Sequence, residues 1–248
     1  MELTVLGSSS AGNCYILQNE HEALIIECGV NFKEVTKALN FNLKKVAGCL
    51  ISHEHGDHSK YINDFLNSAI TVWTSSGTNK ALIPKIKGFR LPLLLEAGIM
   101  TRIGNFKIIP FHMKHDCAEP YGFYINHPEM GNTLFATDTY YLPNKFAGLN
   151  HILIECNYRM DILMKNVEAG RIPALLLKRT QESHFEYENC KNALLANDLS
   201  GVRNIVLIHL SDSNSHAIDF KQGIENATGK PVHIAEKGLK LNFNKTPF

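Results

Sequence analysis

The chain has 248 residues, 44% of them hydrophobic and 20% charged, with a formal net charge of +1 from 25 basic and 24 acidic side chains. Such a length and apolar content suit one ordinary α/β domain, read here as spanning residues 1–248. The balanced charge excludes a globally basic nucleic-acid or membrane binder, though a local basic groove stays compatible with it.

The elements follow in short apolar runs broken by polar or glycine-rich turns. Residues 3–6 predict a strand and 7–13 (GSSSAGN) a turn that either offers backbone amides to a phosphate or simply connects strands. Strands follow at 14–17 and 23–26, a short amphipathic helix at 32–39, and a buried strand at 46–51. Helical patterns at 61–66 and 78–83 flank a strand at 70–73. The middle is richer in strands, at 99–103, 106–111, 122–125, 133–136 and 152–155. Helices are expected at 160–168, 188–195 and 220–226, a strand at 205–208, and a terminal hairpin at 232–241. Many short strands with interposed helices imply two packed sheets flanked by helices. The six cysteines form no CxxC pair, which points to free thiols in a reducing compartment. No leader pattern and no apolar run of the ~20 residues that span a bilayer are seen, so a cytoplasmic, membrane-free protein is expected.

The densest chemistry is Ser52-His53-Glu54-His55-Gly56-Asp57-His58, directly after the strand at 46–51. Imidazole and carboxylate together suit zinc, manganese or iron(II). In an extended turn His53 and His55 point the same way, and Asp57 and His58 can reach a second centre. Further candidates sit at the C-terminal ends of apolar runs: His112 and His115 after 106–111, Asp138 after 133–136, and His209 after 205–208. That placement lets loops converge on one edge of a sandwich. The short basic clusters Lys44-Lys45, Lys85/Lys87 and Lys178-Arg179 read as solvated surface, and Cys117 as packing.

The segment HEHGDH matches the HxHxDH motif of the metallo-β-lactamase superfamily, and the remaining candidates occur in that family's order. GSSSAGNCY at 7–15, HDCAEPYGF at 115–123, TDT at 137–139, ECN at 155–157 and HLSDSNS at 209–215 resemble the YycJ (WalJ)-type branch of exonuclease-like hydrolases. The resemblance implies an αββα four-layer sandwich. It implies two divalent metal ions, zinc or manganese, with His53, His55 and His115 on one, Asp57, His58 and His209 on the other, and Asp138 bridging. His115 is preferred to His112 because it directly precedes the HDxxxPxGF pattern. The implied activity is phosphodiester hydrolysis, of DNA first, by a hydroxide held between the metals, with Asp57 essential to turnover. His184 and Glu155 resemble the proton-transfer pair of related phosphodiesterases, although Ser183 and Phe185 replace the usual glycine and leucine beside the histidine. Glu27 stands where the family usually has an aspartate that orients the metal loop.

The alternative substrate is a cyclic nucleotide, as for phage anti-defence phosphodiesterases. Less favoured are thioester hydrolysis, since no C-terminal helical substrate domain is seen, and a non-catalytic metal-binding module, which would typically lack a ligand. The segment between Asp138 and His209 is too short for a large clamp domain. The expected partner is a nucleic acid or cyclic nucleotide, with a homodimer as the assembly to test.

Overall fold

The computed structural model describes residues 1–246. One seven-stranded sheet contains β1 (Glu2–Gly7), β2 (Cys14–Gln18), β3 (Ala23–Ile26), β4 (Val46–Leu50), β5 (Val72–Thr74) and β6 (Leu93–Leu94), with β14 (Lys240–Asn242) beside β1. The other runs from β7 (Thr101–Ile103) through β8 (Phe106–His112), β9 (Tyr121–His127), β10 (Gly131–Ala136), β11 (Leu149–Glu155) and β12 (Asn204–Ile208) to β13 (Val232–Ile234). Helices α1 (Phe32–Ala38), α2 (Gly56–Ser59), α3 (Ile62–Asn67) and α4 (Ser76–Leu82) belong with the first sheet. Helices α5 (Met160–Glu168), α6 (Ala174–Ser183), α7 (Tyr187–Leu195) and α8 (Ala217–Thr228) follow the second.

The period-two alternation of strand side chains builds four layers. Tyr15 and Leu17 of β2 enter the core between the sheets, beside Phe123, Phe135, Leu153 and Val206. Ile16, between them in sequence, lies in the core under the first helices, with Val35, Phe65 and Leu82. On the far side Ile152, Ile154 and Leu207 pack with Leu194, Phe220 and Ile224 of α7 and α8. The Tyr15 and Phe135 rings meet edge-on at 5.4 Å across the inter-sheet core. This is the expected αββα arrangement.

The chain directions position the site. β10, β11, β12 and β13 run parallel, as do β3, β4, β5 and β6. Their C-terminal ends therefore deliver loops to one edge, where open α/β sheets gather ligands. β8, antiparallel to β9, ends at that edge too. Pro110 sits in β8 beyond the reach of β7, whose register stops at Thr101–Ile108, so its missing N–H costs no ladder bond on that side.

One expectation fails. Residues 232–241 do not form a hairpin: β13 pairs with β12 in one sheet and β14 with β1 in the other. The apolar pattern identified strands, and pairing across layers is not encoded locally. The sequence pattern does not predict helix α6. Its leucines are largely outward, with Leu175 85% exposed, so it lacks the one-sided apolar stripe that marks a packed helix. Among the described residues no helix is long and apolar enough to cross a membrane.

Candidate metal centre

The loop after β4 supplies the first group. Glu54 and His55 precede the single turn of α2, which carries Asp57 and His58. His53 is buried and its Nδ1 faces Ser52 Oγ at 2.9 Å, so its Nε2 is turned inward, where it has no hydrogen-bond partner. His55 Nδ1 lies 3.1 Å from His115 Nε2. The turn after β8 that brings His115 in is braced at its base by Ala118 N–H donating to Glu54 Oε1 at 2.8 Å. His115 Nδ1 meets the Ser183 carbonyl at 2.7 Å, which makes Nδ1 the protonated nitrogen and leaves Nε2 a free lone pair. His53, His55 and His115 thus present donor atoms within 4.8 Å of one another. His112 stays exposed, beside the Tyr121 ring.

A second group, equally close, is Asp57, His58, Asp138 and His209. Asp57 Oδ2 is 3.2 Å from both His58 Nε2 and His209 Nε2. Asp138 lies between the groups. Its Oδ1 is 3.3 Å from His58 Nε2 and 3.8 Å from His209 Nδ1, while its Oδ2 is 3.7 Å from His115 Nε2 and 3.9 Å from His53 Nε2. A third group joins Asp138, Glu155, His184 and His209. Within it His184 Nδ1 is 2.7 Å from Glu155 Oε1, and its ring stacks on His209 at 5.4 Å.

The backbone is forced at these positions. Glu27, Asp138 and His209 have φ of 67°, 30° and 52°, all in the left-handed region. Each costs about 1–3 kcal/mol, and such residues gather where a site over-determines them. Glu27 is fully buried with Oε1 3.4 Å from His58 Nδ1, and Ser52 N–H donates to Oε2 at 3.4 Å. It therefore backs His58 and touches the start of the His53 loop.

The electrostatics ask for cations. Glu27, Asp138 and Glu155 are buried and Asp57 is partly buried, and among the described residues no lysine or arginine pairs with them. Burial opposes the charge of Asp138, but His209 and His58 hold its carboxyl well below the usual range. Burial likewise opposes Asp57, which the His209 and His58 hydrogen bonds bring down. His209 is pushed up to about 10, against its burial, by Asp138, Asp57 and Glu155. His58 is raised in the same way by Asp138 and Glu27. By contrast, burial and the neighbouring imidazole of His58 push His53 down, so its lone pair stays available. Buried carboxylates compensated only by imidazoles, with an orphaned His53 Nε2 among them, fit divalent metal ions.

All seven residues read from the sequence as ligands are brought together, and Glu155 and His184 join their rim. The sequence reading missed the residues that hold them. Buried Asn13 donates its backbone N–H to Asp57 O at 2.8 Å, and its Nδ2 lies 3.2 Å from both Asp57 Oδ2 and His58 Nε2. Ser8 Oγ accepts the His209 N–H at 2.9 Å, and Asn157 Nδ2 donates to His209 O at 2.7 Å. Asn13 and Ser8 lie in the GSSSAGN turn, so their signal was on the page. The turn acts as a buttress: its Gly12 and Asn13 amides are taken by Ser9 O and Asp57 O and are not free to cradle a phosphate. The basic clusters are largely spoken for, with Arg179 on Asp116, Lys178 on Glu182 and Lys85 on Glu54 O.

Comparison with known proteins adds the following. A family model described as anti-Pycsar protein Apyc1 matches residues 1–69. The chain is 26% identical over 232 residues to the exodeoxyribonuclease YycJ of Bacillus anthracis, covering 87% of this chain and 84% of that protein. It is 27% identical over 227 residues to the exodeoxyribonuclease WalJ of Streptococcus pneumoniae, covering 86% and 82%. Among solved structures it resembles the metallo-β-lactamase fold protein YhfI of Bacillus subtilis, with TM-score 0.71 at 14% identity over 97% of this chain and 99% of that one. It also resembles a diphosphatase of the PhnP family (TM-score 0.65, 16% identity, 98% of each chain) and the short form of human tRNase Z (TM-score 0.62, 14% identity, 98% and 99%).

Proposed function

We propose that this chain, which has the metallo-β-lactamase fold and is similar across most of its length to exodeoxyribonucleases, is a metal-dependent phosphodiesterase that removes nucleotides from DNA. The observation that carries the reading is the placement of Asp138, one oxygen toward His53 and His115 and the other toward His58 and His209. His53, His55 and His115 would hold one divalent cation, zinc or manganese; Asp57, His58 and His209 would hold a second; Asp138 would serve both. Cations bound there supply Lewis acidity and a water acidic enough to act near neutral pH.

The remaining work falls to the chain's own groups. Asn13 and the Asp57 carbonyl lock α2 against the first turn, so the Asp57 carboxylate is held in place before substrate arrives. Glu155 fixes His184 through Nδ1 and, against the cost of burial, raises its pKa. Its ring is 24% exposed at the rim, placed to protonate a departing alkoxide.

A second reading, hydrolysis of a cyclic mononucleotide, draws support from the match of residues 1–69 to the anti-Pycsar family model and from the near-zero net charge of the chain. A substrate panel decides between them. Linear duplex DNA, single-stranded DNA, RNA and cyclic mononucleotides are offered with Zn²⁺ and with Mn²⁺, to the wild type and to Asp57→Ala. Release of mononucleotides from DNA ends, lost in a variant that still unfolds cooperatively, is the expected result. Turnover confined to cyclic mononucleotides would establish the second reading, and no turnover of any diester would overturn both.

A further inference from the structure

The near-zero net charge conceals an uneven distribution. Residues 60–90 hold five of the 25 basic side chains, Lys60, Lys80, Lys85, Lys87 and Arg90, against one of the 24 acidic ones, Asp64. All five cations are exposed, and among the described residues none pairs with a carboxylate. Exposed cations elsewhere do find carboxylates, as in the Lys178–Glu182, Arg179–Asp116 and Lys237–Glu34 pairs.

The fold arranges these cations as a strip that starts at the metal-site loop. Lys85 ends a 3-10 turn, Ile83–Lys85, and its Nζ lies 3.3 Å from the carbonyl oxygen of Glu54, the residue between His53 and His55. That neutral acceptor leaves the ammonium charge uncompensated. Lys60 directly follows α2, the turn that carries Asp57 and His58, and its Nζ stands 5.6 Å from the centre of the Tyr61 ring. The loop between the two cations is itself at the surface, with Glu54 and His55 half-buried and Gly56 exposed. From Lys85 the chain runs outward along α3. Asn63, in the first turn of that helix, donates Nδ2 to Lys85 O at 3.0 Å and accepts the Lys87 N–H at 2.6 Å. Gly88 lies beside the side chain of Asn67, the last residue of α3. Phe89 and Arg90 follow, both exposed, so a bare aromatic ring stands at the cationic far end.

We infer that this strip is a track for a single-stranded polynucleotide, which is held by its phosphates on Lys60, Lys85, Lys87 and Arg90 and by a base stacked on Phe89. The choice of a nucleic acid rests on the phosphodiesterase reading. Unpaired cations attract any polyanion. An exposed ring among them adds a flat face for an unpaired base, which a duplex keeps inside its own stack. The strip begins at the loop that carries His53 and His55, so a strand lying along it is led to the metal-site edge. A mononucleotide carries no further phosphates to reach the strip. The track therefore serves a polymeric substrate.

Fluorescence anisotropy tests this with a labelled oligothymidylate whose phosphorothioate linkages resist cleavage, titrated with the full-length, metal-loaded chain at several salt concentrations. Four phosphate contacts at ~0.7 each give an expected slope of log affinity on log salt of about −3. Lys60→Gln, Lys87→Gln and Arg90→Gln together should make the slope shallower by about 2 and weaken binding about tenfold or more at low salt. Phe89→Ala should weaken binding about fivefold or more and leave the slope unchanged. Arg90→Glu, at the exposed far end, decides the matter should the triple variant not fold, and should make the slope shallower by about 1. A cooperatively melting triple variant with wild-type affinity and slope overturns the track, as does Phe89→Ala with affinity within twofold of wild type. Variants that keep their DNA affinity but no longer adsorb to phosphatidylserine vesicles would make the strip a membrane face and overturn the inference. Binding is read without turnover, so failure of the phosphodiesterase reading, no cleavage of any diester, shows separately.

Discussion

Gly29 offers the sharpest single perturbation of the site. A Cβ added there would lie 1.6 Å from the carbonyl oxygen of Asp57, 2.5 Å from its carbonyl carbon and 2.8 Å from the Asn13 nitrogen. Real Cβ contacts essentially never fall below 3.0 Å, so the Asp57 backbone must retreat by at least 3.0 − 1.6 = 1.4 Å. It cannot do so freely. Asn13 N–H donates to that same Asp57 oxygen at 2.8 Å, and Cys28 N–H donates to His58 O at 2.8 Å, so the strand and the ligand loop are pinned on both sides of the clash. Overpacking of this kind costs about 1–3 kcal/mol, and moving a reacting group by ~1 Å costs about 10²-fold in rate. Gly29→Ala should therefore lose about a hundredfold or more in turnover of bis-p-nitrophenyl phosphate at saturating metal. Its thermal midpoint should fall by several degrees, and divalent cations should bind to the protein more weakly, measured by atomic absorption after dialysis. A variant with turnover within threefold of wild type and full metal content would refute the idea that this contact sets the position of Asp57.

The His184–Glu155 pair predicts a leaving-group effect: His184→Ala should slow a dinucleotide, whose alkoxide needs a proton, about 10²–10⁴-fold, and a p-nitrophenyl ester far less. Equal losses on both substrates would assign His184 to structure or metal holding. His151 predicts a pH effect on stability away from the site. It is fully buried, stacks on Phe243 at 4.1 Å, and burial pushes its pKa from the ordinary 6.5 down to about 4. The unfolded chain therefore binds a proton that the folded chain refuses. Its contribution is complete above pH 6.5 and is lost progressively as pH falls toward 4, by about 3 kcal/mol at roughly 1.4 kcal/mol per pH unit. Thermal unfolding of His151→Phe should fall less steeply than wild type across that window, and parallel curves would show that His151 is not the responsible group.

The candidate donor set was legible because HEHGDH packs four donors into one loop, and because His115, Asp138 and His209 each follow an apolar run that a strand must end. Local order is enough for such a pattern. Where support came from across the molecule, it was not. Nothing near His115 in sequence announces that the carbonyl of Ser183, 68 residues away, fixes its tautomer. The GSSSAGN turn could be a phosphate cradle or a plain connection, and only the fold shows that its Gly12 and Asn13 amides are already used. Asn13 was passed over because an asparagine in a turn has a sufficient local explanation, although its Nδ2 reaches two ligands. The left-handed backbone at Glu27, Asp138 and His209 is likewise invisible to composition, since none of the three is glycine.

The division of β13 and β14 between the sheets bears on how the molecule is made. β14 pairs with β1, so Leu3 meets Leu241 across nearly the whole chain, and the amino group of Met1 meets Glu129 and Asn244. During synthesis the first strand must wait, one edge open, until the last strand leaves the ribosome. Closing a loop of that length carries an entropy cost that no short-range contact offsets. The segments bearing Asp57, Asp138 and His209 all emerge before that closure, so every loop of the candidate site is made before the sandwich can be sealed at β1.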